Sequence, residues 1–232
     1  GEYEGSFVLY DLENDAWSIH NKDHATLRVA PNSTYKIYDA LFGLEESVIT
    51  PKNSFIAWNG EIYPFEAWNA DQTLQSAMNS SVNWYFQTVD EQLGASDVYS
   101  YIQEIGYGNE NMSGDFSTYW MESSLEISPI EQVELLAKLQ NNSFGFAPEN
   151  ISTVKDAICL SSSDAGTFYG KTGTGRVNGQ YVNGWFIGYI ETADNTYFFA
   201  TNISADSDAT GGNATEITMS ILSDMNIWVS QK

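Results

Sequence analysis

Extended, β-rich segments occur at both ends of the chain, and helical patterns fill the middle. Near the start, two short β-rich runs flank the turn-like Leu12-Glu13-Asn14-Asp15, which predicts a β-hairpin. Near the end, Gly-Asn turns join further β-rich runs, which predicts an antiparallel meander. We therefore predict an α/β (α+β) fold, in which both chain ends build one antiparallel sheet and a helical region is inserted between them. The predicted strands span residues 6–11, 16–20, 167–170, 182–190 and 197–202.

The segment between the strands carries helical periodicity with recognisable start signals. Ser81 and Ser96 stand where N-caps are expected, and Ser128-Pro129-Ile130-Glu131 is a capping box with proline at the first helical position. The chain is interpreted as a single domain, residues 1–232, whose sheet part covers about 1–30 and 160–232 and whose helical part covers about 31–159. The predicted helices span residues 72–78, 82–93, 97–105, 128–140, 148–158 and 214–229.

The charge of the chain limits its partners, because 31 acidic residues oppose 9 basic ones and give a formal net charge of −22. A surface of this sign repels nucleic acid and anionic lipid, so neither is expected as a partner. With His20 and His24 as its two histidines and no calcium-binding loop, the chain is expected to hold no metal. Its one cysteine, Cys159, lies among apolar residues and is predicted to be buried. Membrane contact is expected only through a segment outside this sequence.

Ser33 and Lys36 stand three residues apart at the start of an apolar-periodic run that continues to Leu44. Residues at this spacing lie on one face of a helix, so the Lys36 amine can reach the Ser33 hydroxyl. A lysine can take a proton from serine when burial lowers its pKa, and a helix N-terminus offers N–H groups to an oxyanion. The alternative interpretation is a capping serine followed by an exposed lysine.

A second polar group, Lys171-Thr172-Gly173-Thr174-Gly175, lies on the first strand of the predicted meander. A strand that offers a lysine and a threonine beside a glycine suits a small carboxylate bound along its backbone. Ser81-Val82-Asn83 stands at a predicted helix start, from which a hydroxyl and an amide can face the same cleft. These segments are the candidates for one site shared with Ser33 and Lys36.

The three elements, in this order and at these separations, resemble the serine penicillin-recognising superfamily of penicillin-binding proteins, serine β-lactamases and β-lactam sensors. Tyr107-Gly108-Asn109, followed by Trp120, is similar to motifs of class D (OXA-type) β-lactamases and of the related BlaR/MecR-type sensor domains. Residues 5–11, 128–133 and 184–188 also look like that branch. The resemblance covers nearly the whole chain. It implies a β-lactamase/transpeptidase-like fold, an exported protein on the extracellular or cell-surface side of the membrane, and β-lactam antibiotics as ligands.

The resemblance also implies a role for each matching residue. Ser33 forms the acyl-enzyme, and Lys36 is the general base, which class D enzymes carboxylate reversibly with carbon dioxide; no metal or organic cofactor is implied. This carbamate needs a weakly solvated pocket, because the amine must be neutral to react. Trp120 hydrogen-bonds the carbamate, and Ser81 relays a proton to the lactam nitrogen. The catalytic set is Ser33, Lys36, Ser81, Trp120 and Lys171, and the substrate-binding set is Asn83, Tyr107, Thr172, Gly173 and Thr174.

Within these sets, the resemblance implies that Lys171 and Thr172 bind the substrate carboxylate. It implies that the backbone N–H groups of Ser33 and Thr174 form the oxyanion hole. Tyr107 walls the cleft, with core packing as the alternative.

Two departures from class D enzymes affect the choice of function. An apolar residue is usual where Asn83 stands, and asparagine there is typical of the sensor domains. Class D enzymes often hold the substrate carboxylate with a late arginine, whereas no arginine follows Arg176. The leading hypothesis is a class D serine β-lactamase, and the alternative is a sensor domain of a BlaR/MecR-type transducer that is acylated at Ser33 without turnover. A D-alanyl-D-alanine peptidase is a third interpretation, which Tyr107 and Trp120 fit poorly.

Overall fold

One six-stranded sheet organises the chain in a computed structural model that describes residues 3–228. The strands are β1 (Glu4–Asp11), β2 (Ala16–His20), β3 (Cys159–Ser163), β4 (Gly166–Val177), β5 (Gln180–Glu191) and β6 (Thr196–Ser204). Their order across the sheet is β2-β1-β6-β5-β4-β3, and every neighbouring pair is antiparallel. Phe7 of β1 stands opposite Thr201 of β6. This pairing confirms the predicted sheet assembled from both chain ends.

All of the described helices except the last lie in the segment between β2 and β3. None of the helices within residues 3–228 has the length and apolar character needed to cross a membrane. Two short 3₁₀ turns cover Asn32–Tyr35 and Glu66–Trp68. The helices are α1 (Lys22–Thr26), α2 (Lys36–Glu45), α3 (Leu74–Asn79), α4 (Asn83–Leu93), α5 (Ala95–Ile105), α6 (Pro129–Gln140), α7 (Pro148–Ala157) and α8 (Gly211–Asp224).

The sheet separates two hydrophobic layers, because successive side chains of a strand point to opposite faces. Phe7 and Leu9 of β1 join the smaller layer together with Leu222 of α8. Val8, between them, belongs to the larger layer, which the remaining helices cover. The buried α2 lies in that larger layer, so the residues at its N-terminal end are held between the sheet and the helical region.

The capping box at Ser128 confirms the helix start predicted there. The Ser128 hydroxyl accepts a hydrogen bond from the Glu131 N–H at 3.3 Å, and the Glu131 carboxylate accepts one from the Ser128 N–H at 2.9 Å. Pro129 occupies the first helical position, where its missing N–H costs nothing. These local contacts start α6 at the predicted residue.

Several local predictions were wrong. Cys159 is exposed, because it opens β3, an edge strand that pairs on one side only and that the sequence did not indicate. Ser96 lies inside α5, which begins after Gly94, and Ser81 precedes α4 without capping it. The last helix ends at Asp224, and residue 229, where it was predicted to end, lies outside the described residues.

Candidate active site

Ser33 lies in the 3₁₀ turn that leads directly into α2, one turn before the helix in which it was expected. Asn32 has a positive φ of 49°, a conformation that asparagine tolerates better than most residues. The Asn32 N–H donates to the Trp120 carbonyl at 2.9 Å, which fixes the entry of the turn. The Lys36 Nζ to Ser33 Oγ distance is 2.8 Å. The three-residue spacing therefore brings the Ser33 hydroxyl and the Lys36 amine into contact, as the sequence predicts.

Lys36 is fully buried, so the alternative of an exposed lysine does not describe this chain. Its Nζ lies 2.8 Å from the Ser81 carbonyl oxygen and 2.6 Å from Asn83 Oδ1, which both only accept hydrogen bonds. Burial, and then the nearby Lys171, lower the pKa of Lys36 well below its usual value. A neutral amine donates two hydrogen bonds and keeps one lone pair. With both donors used on Ser81 and Asn83, that lone pair can face the Ser33 hydroxyl.

Ser81 joins the two lysines of the site. Its Oγ is 3.3 Å from Lys36 Nζ and accepts a hydrogen bond from Lys171 Nζ at 2.8 Å. Its positive φ of 54° is a backbone conformation that non-glycine residues rarely adopt. Its carbonyl and its hydroxyl both contact Lys36 in this conformation. The polar groups of Ser81 therefore contact the two lysines, which explains why its side chain does not cap α4.

Lys171 approaches the site from β4. Burial lowers the pKa of Lys171 to about 7, so its charge changes within the physiological range. Its Nζ also donates to the Thr172 carbonyl at 2.9 Å, which holds the side chain along the strand. A proton on either lysine is thus one hydrogen bond away from the Ser81 hydroxyl.

Gly173 allows β4 to pack directly against the 3₁₀ turn Asn32–Tyr35, here named the nucleophile turn after its candidate nucleophile Ser33. A Cβ atom at this position would lie 2.9 Å from the Pro31 carbonyl oxygen and 3.3 Å from the Ser33 nitrogen. Thr172 is half-buried and Thr174 is exposed. The Thr174 hydroxyl accepts a hydrogen bond from the Gly211 N–H at 2.9 Å, which leaves its own proton available to another acceptor.

Trp120 and Tyr107 are both completely buried. The centroid of the Trp120 ring lies 5.2 Å from Lys36 Nζ. Its indole N–H makes no hydrogen bond of standard geometry among the described residues, but it lies near the Asp90 carboxyl, whose pKa is raised by burial and lowered in part by this donor. A polar aromatic ring this close to a buried amine fits a carbamate on Lys36. Asn83 Oδ1 fits it less well, because it already accepts a hydrogen bond from that amine. Tyr107 packs edge-on against Tyr35, which favours core packing over lining the cleft.

Three residues that sequence reasoning missed support the nucleophile turn. Glu122 Oε1 accepts hydrogen bonds from Asn32 at 2.8 Å and from Asn183 of β5 at 2.7 Å. The Pro31-Asn32 pair before Ser33 was an available signal for the strained turn, since asparagine favours positive φ. Nothing local links Glu122 to Asn183, which stand far apart in the sequence.

Comparison with known proteins places this arrangement in a family. The penicillin-binding protein transpeptidase domain matches residues 5–223. The chain belongs to the penicillin-binding transpeptidase family. Among residues 3–228 no group of three or more metal-binding side chains comes together.

Two kinds of transpeptidase-family proteins are similar to this chain, namely regulatory proteins and β-lactamases. Regulatory protein BlaR1 of Bacillus licheniformis is 47% identical over 226 residues, which is 97% of this chain and 37% of the relative. The probable β-lactamase YbxI of Bacillus subtilis is 37% identical over 219 residues, 94% of this chain and 80% of the relative. The chain thus spans a little over a third of the regulatory relative and most of the smaller one.

The solved structures that are similar to this chain also include both a regulatory-protein domain and a β-lactamase. The C-terminal domain of the Bacillus licheniformis BlaR penicillin-receptor has a TM-score of 0.94 and 46% identity, over 98% of this chain and 92% of that one. The class D β-lactamase BAT-2 has a TM-score of 0.92 and 36% identity, over 98% and 94%. These matches confirm the predicted β-lactamase/transpeptidase fold and its closeness to both sensor domains and class D enzymes.

Proposed function

We propose that this domain is a β-lactam sensor that is acylated at Ser33 and releases the acyl group slowly. The observation that carries the proposal is the 2.6 Å contact between Asn83 Oδ1 and Lys36 Nζ. From the sequence alone, a class D β-lactamase is the leading hypothesis and a sensor domain the alternative. The proposal here reverses that ranking. The 47% identity with BlaR1 supports the same choice.

Acylation uses the groups already in contact. Ser33 Oγ attacks the lactam carbonyl carbon, and the neutral Lys36 amine, 2.8 Å away, takes the hydroxyl proton. The lactam C–N bond then breaks, and the Ser81 hydroxyl gives a proton to the departing nitrogen. Ser81 regains its proton from Lys36 or Lys171, since both Nζ atoms lie within hydrogen-bonding reach of its Oγ.

Strand β4 and the nucleophile turn position the ligand in this proposal. The ligand carboxylate lies beside Lys171 and the hydroxyl of Thr172, and Thr174 offers a second hydroxyl whose proton is free. The backbone N–H groups of Ser33 and Thr174 stabilise the oxyanion. No late arginine is needed, because two hydroxyls and a buried lysine already offer donors on one strand.

Deacylation is the step at which sensing and turnover separate. A carbamate on Lys36, when present, supplies a base that can activate a water molecule against the ester. Forming it takes a proton from the amine and leaves a single N–H, so either the Ser81 carbonyl or Asn83 Oδ1 loses its donor. Asn83 therefore favours the free amine, and the acyl group stays on Ser33.

A class D β-lactamase is the second candidate, and the position of Trp120 favours it. The centroid of its ring lies 5.2 Å from Lys36 Nζ, and in this scheme the indole N–H donates to a carbamate oxygen. The match to YbxI across 80% of that probable β-lactamase points the same way. In either case the ligand is a β-lactam, and we place the domain on the extracellular side of the membrane, where such compounds arrive.

Intact-protein mass spectrometry after addition of limiting penicillin, with and without bicarbonate, tests the proposal. A stoichiometric adduct that persists for hours supports the sensor. An adduct that clears within minutes, and faster with bicarbonate, supports the β-lactamase instead. Absence of any adduct, or an adduct on the Ser33→Ala variant, contradicts acylation at Ser33 and so both candidates.

A further inference from the structure

Two buried carboxyl groups stand behind Lys36 and take no part in the mechanism above. Asp39 follows Lys36 by one turn on α2, and Asp90 lies on the facing helix α4; they are 0% and 1% exposed. Both Asp90 oxygens accept from the Tyr119 hydroxyl, at 3.1 and 3.0 Å, and the nearby Trp120 indole N–H also lowers the pKa of Asp90 against the larger effect of burial. Neither oxygen of Asp39 has a hydrogen-bond donor among the described residues. The two carboxyl groups lie within hydrogen-bonding reach of each other.

Neighbouring carboxyl groups in an apolar interior cannot both be ionised. Burial, followed by the charge of Asp90, raises the pKa of Asp39 well above its usual value, and burial raises the pKa of Asp90. A proton held between the two groups gives each an internal hydrogen bond. It also supplies the donor that the Asp39 oxygens otherwise lack.

We propose that Asp39 and Asp90 share one proton, and that the single negative charge of this carboxyl pair sets the charge state of Lys36. The inference rests on the proposed function insofar as Lys36 is the base in acylation. Asp39 and Asp90 are positioning residues in this scheme, since they act through Lys36 and contact no ligand. Their charge also opposes a carbamate on Lys36, because a second negative charge in the same buried pocket is unfavourable.

The tyrosines around the pair stay in one charge state near neutral pH, whereas Lys171 does not. Burial raises the pKa values of Tyr35, Tyr85 and Tyr119, so these three hydroxyls remain protonated. Glu91 is exposed, and its charge raises the pKa of Asp90 as the last of several causes. Lys171, across the pocket on β4, changes charge near pH 7 and lowers the pKa of Lys36.

The two carboxyl groups act unequally on Lys36. The charge of Asp39 raises the pKa of Lys36, whereas Asp90 is not among the groups that shift it. Moving the negative charge within the pair therefore changes the pKa of Lys36 in a known direction. In Asp39→Asn, the new amide donates to Asp90, and the charge moves away from Lys36. In Asp90→Asn, the amide donates to Asp39, and the charge settles beside Lys36.

An NMR titration of the protein labelled with [¹³Cε]lysine measures this directly without any β-lactam. The chain has seven lysines, and a Lys36→Met spectrum identifies the Lys36 signal. We expect Asp39→Asn to lower the Lys36 midpoint by about one pH unit and Asp90→Asn to raise it by about one pH unit. Glu45→Gln, which removes a carboxylate at the far end of the same helix, should leave the midpoint unchanged.

Opposite shifts in the two variants support the shared proton, because loss of packing alone has no reason to change sign. Shifts in the same direction, or none, overturn it. If either aspartate variant does not fold, Tyr119→Phe replaces it: Asp90 loses one of its two donors, the proton moves toward Asp90, and the Lys36 midpoint should rise. An unchanged or lowered midpoint there also overturns the proposal. Failure of penicillin to acylate the protein contradicts the proposed function and leaves this titration unaffected.

Discussion

Replacing Asn83 by valine removes the amide oxygen that lies 2.6 Å from Lys36 Nζ. In the wild type, carboxylation of Lys36 leaves one N–H for two buried acceptors, the Ser81 carbonyl and Asn83 Oδ1. A buried acceptor left without a donor costs about 1–3 kcal/mol. Valine has no acceptor, so the carboxylation equilibrium should rise by roughly 5- to 150-fold, which is that free energy converted to a ratio.

Two measurements on Asn83→Val follow from this magnitude. The ¹³C signal of carboxylated Lys36, with labelled bicarbonate, should increase at equal bicarbonate concentration. The penicillin adduct, followed by intact mass, should clear faster by a similar factor while Lys36 is far from fully carboxylated. Asn150→Val, which removes a buried amide bonded to Glu45 at the far end of α2, serves as the control and should leave both unchanged. An Asn83→Val adduct that persists like the wild-type one at high bicarbonate, with no larger ¹³C signal, refutes the reasoning.

Three further outcomes are expected. Gly173→Ala should slow acylation at least tenfold and lower the free energy of unfolding by about 1–3 kcal/mol, because its Cβ presses on the Pro31 carbonyl at 2.9 Å; stopped-flow acylation and urea unfolding check this. Lys171→Met should flatten the rise of unfolding free energy between pH 7 and 9. The folded pKa of Lys171 is about 7 and the unfolded value about 10.5, so the unfolded chain binds the extra proton and wild-type stability increases with pH in that window; urea unfolding across this range measures it. Ser128→Ala should cost about 0.5–2 kcal/mol through the lost cap, measured by thermal unfolding, and leave acylation by penicillin unchanged.

The part of the site that could be predicted depends on local spacing. Ser33 and Lys36 meet because residues three apart on a helical turn always share a face, and that geometry needs no knowledge of the rest of the chain. Lys171 and Gly173 were placed on a strand by their β-rich surroundings. The general plan of the sheet was also predictable, because the β-rich runs at both chain ends are local patterns in the sequence.

The remainder of the site depends on contacts between distant segments. In the sequence, Asp39 and Asp90 look like ordinary helix residues. Their carboxyl groups become neighbours only because α2 and α4 pack against each other. Cys159 looked buried because its neighbours in sequence are apolar, whereas its exposure depends on β3 being the last strand of the sheet. Ser81 looked like a cap, because its sequence position shows neither its positive φ nor the two lysines it joins.

The closing of the sheet by both chain ends has a consequence for how this domain is made. Glu4 pairs with Ser204, so β1 has only β2 as a strand partner until nearly the whole chain is available. Contacts of such long sequence separation slow folding, and the early hairpin stays exposed until β6 arrives. Lys36 and Lys171 reach the same serine only once β4 has packed against the helical region, because Lys36 lies near the start of that region and Lys171 follows it. Covalent labelling by a fluorescent penicillin should therefore report completed folding of the whole domain, with no signal from partly folded chains.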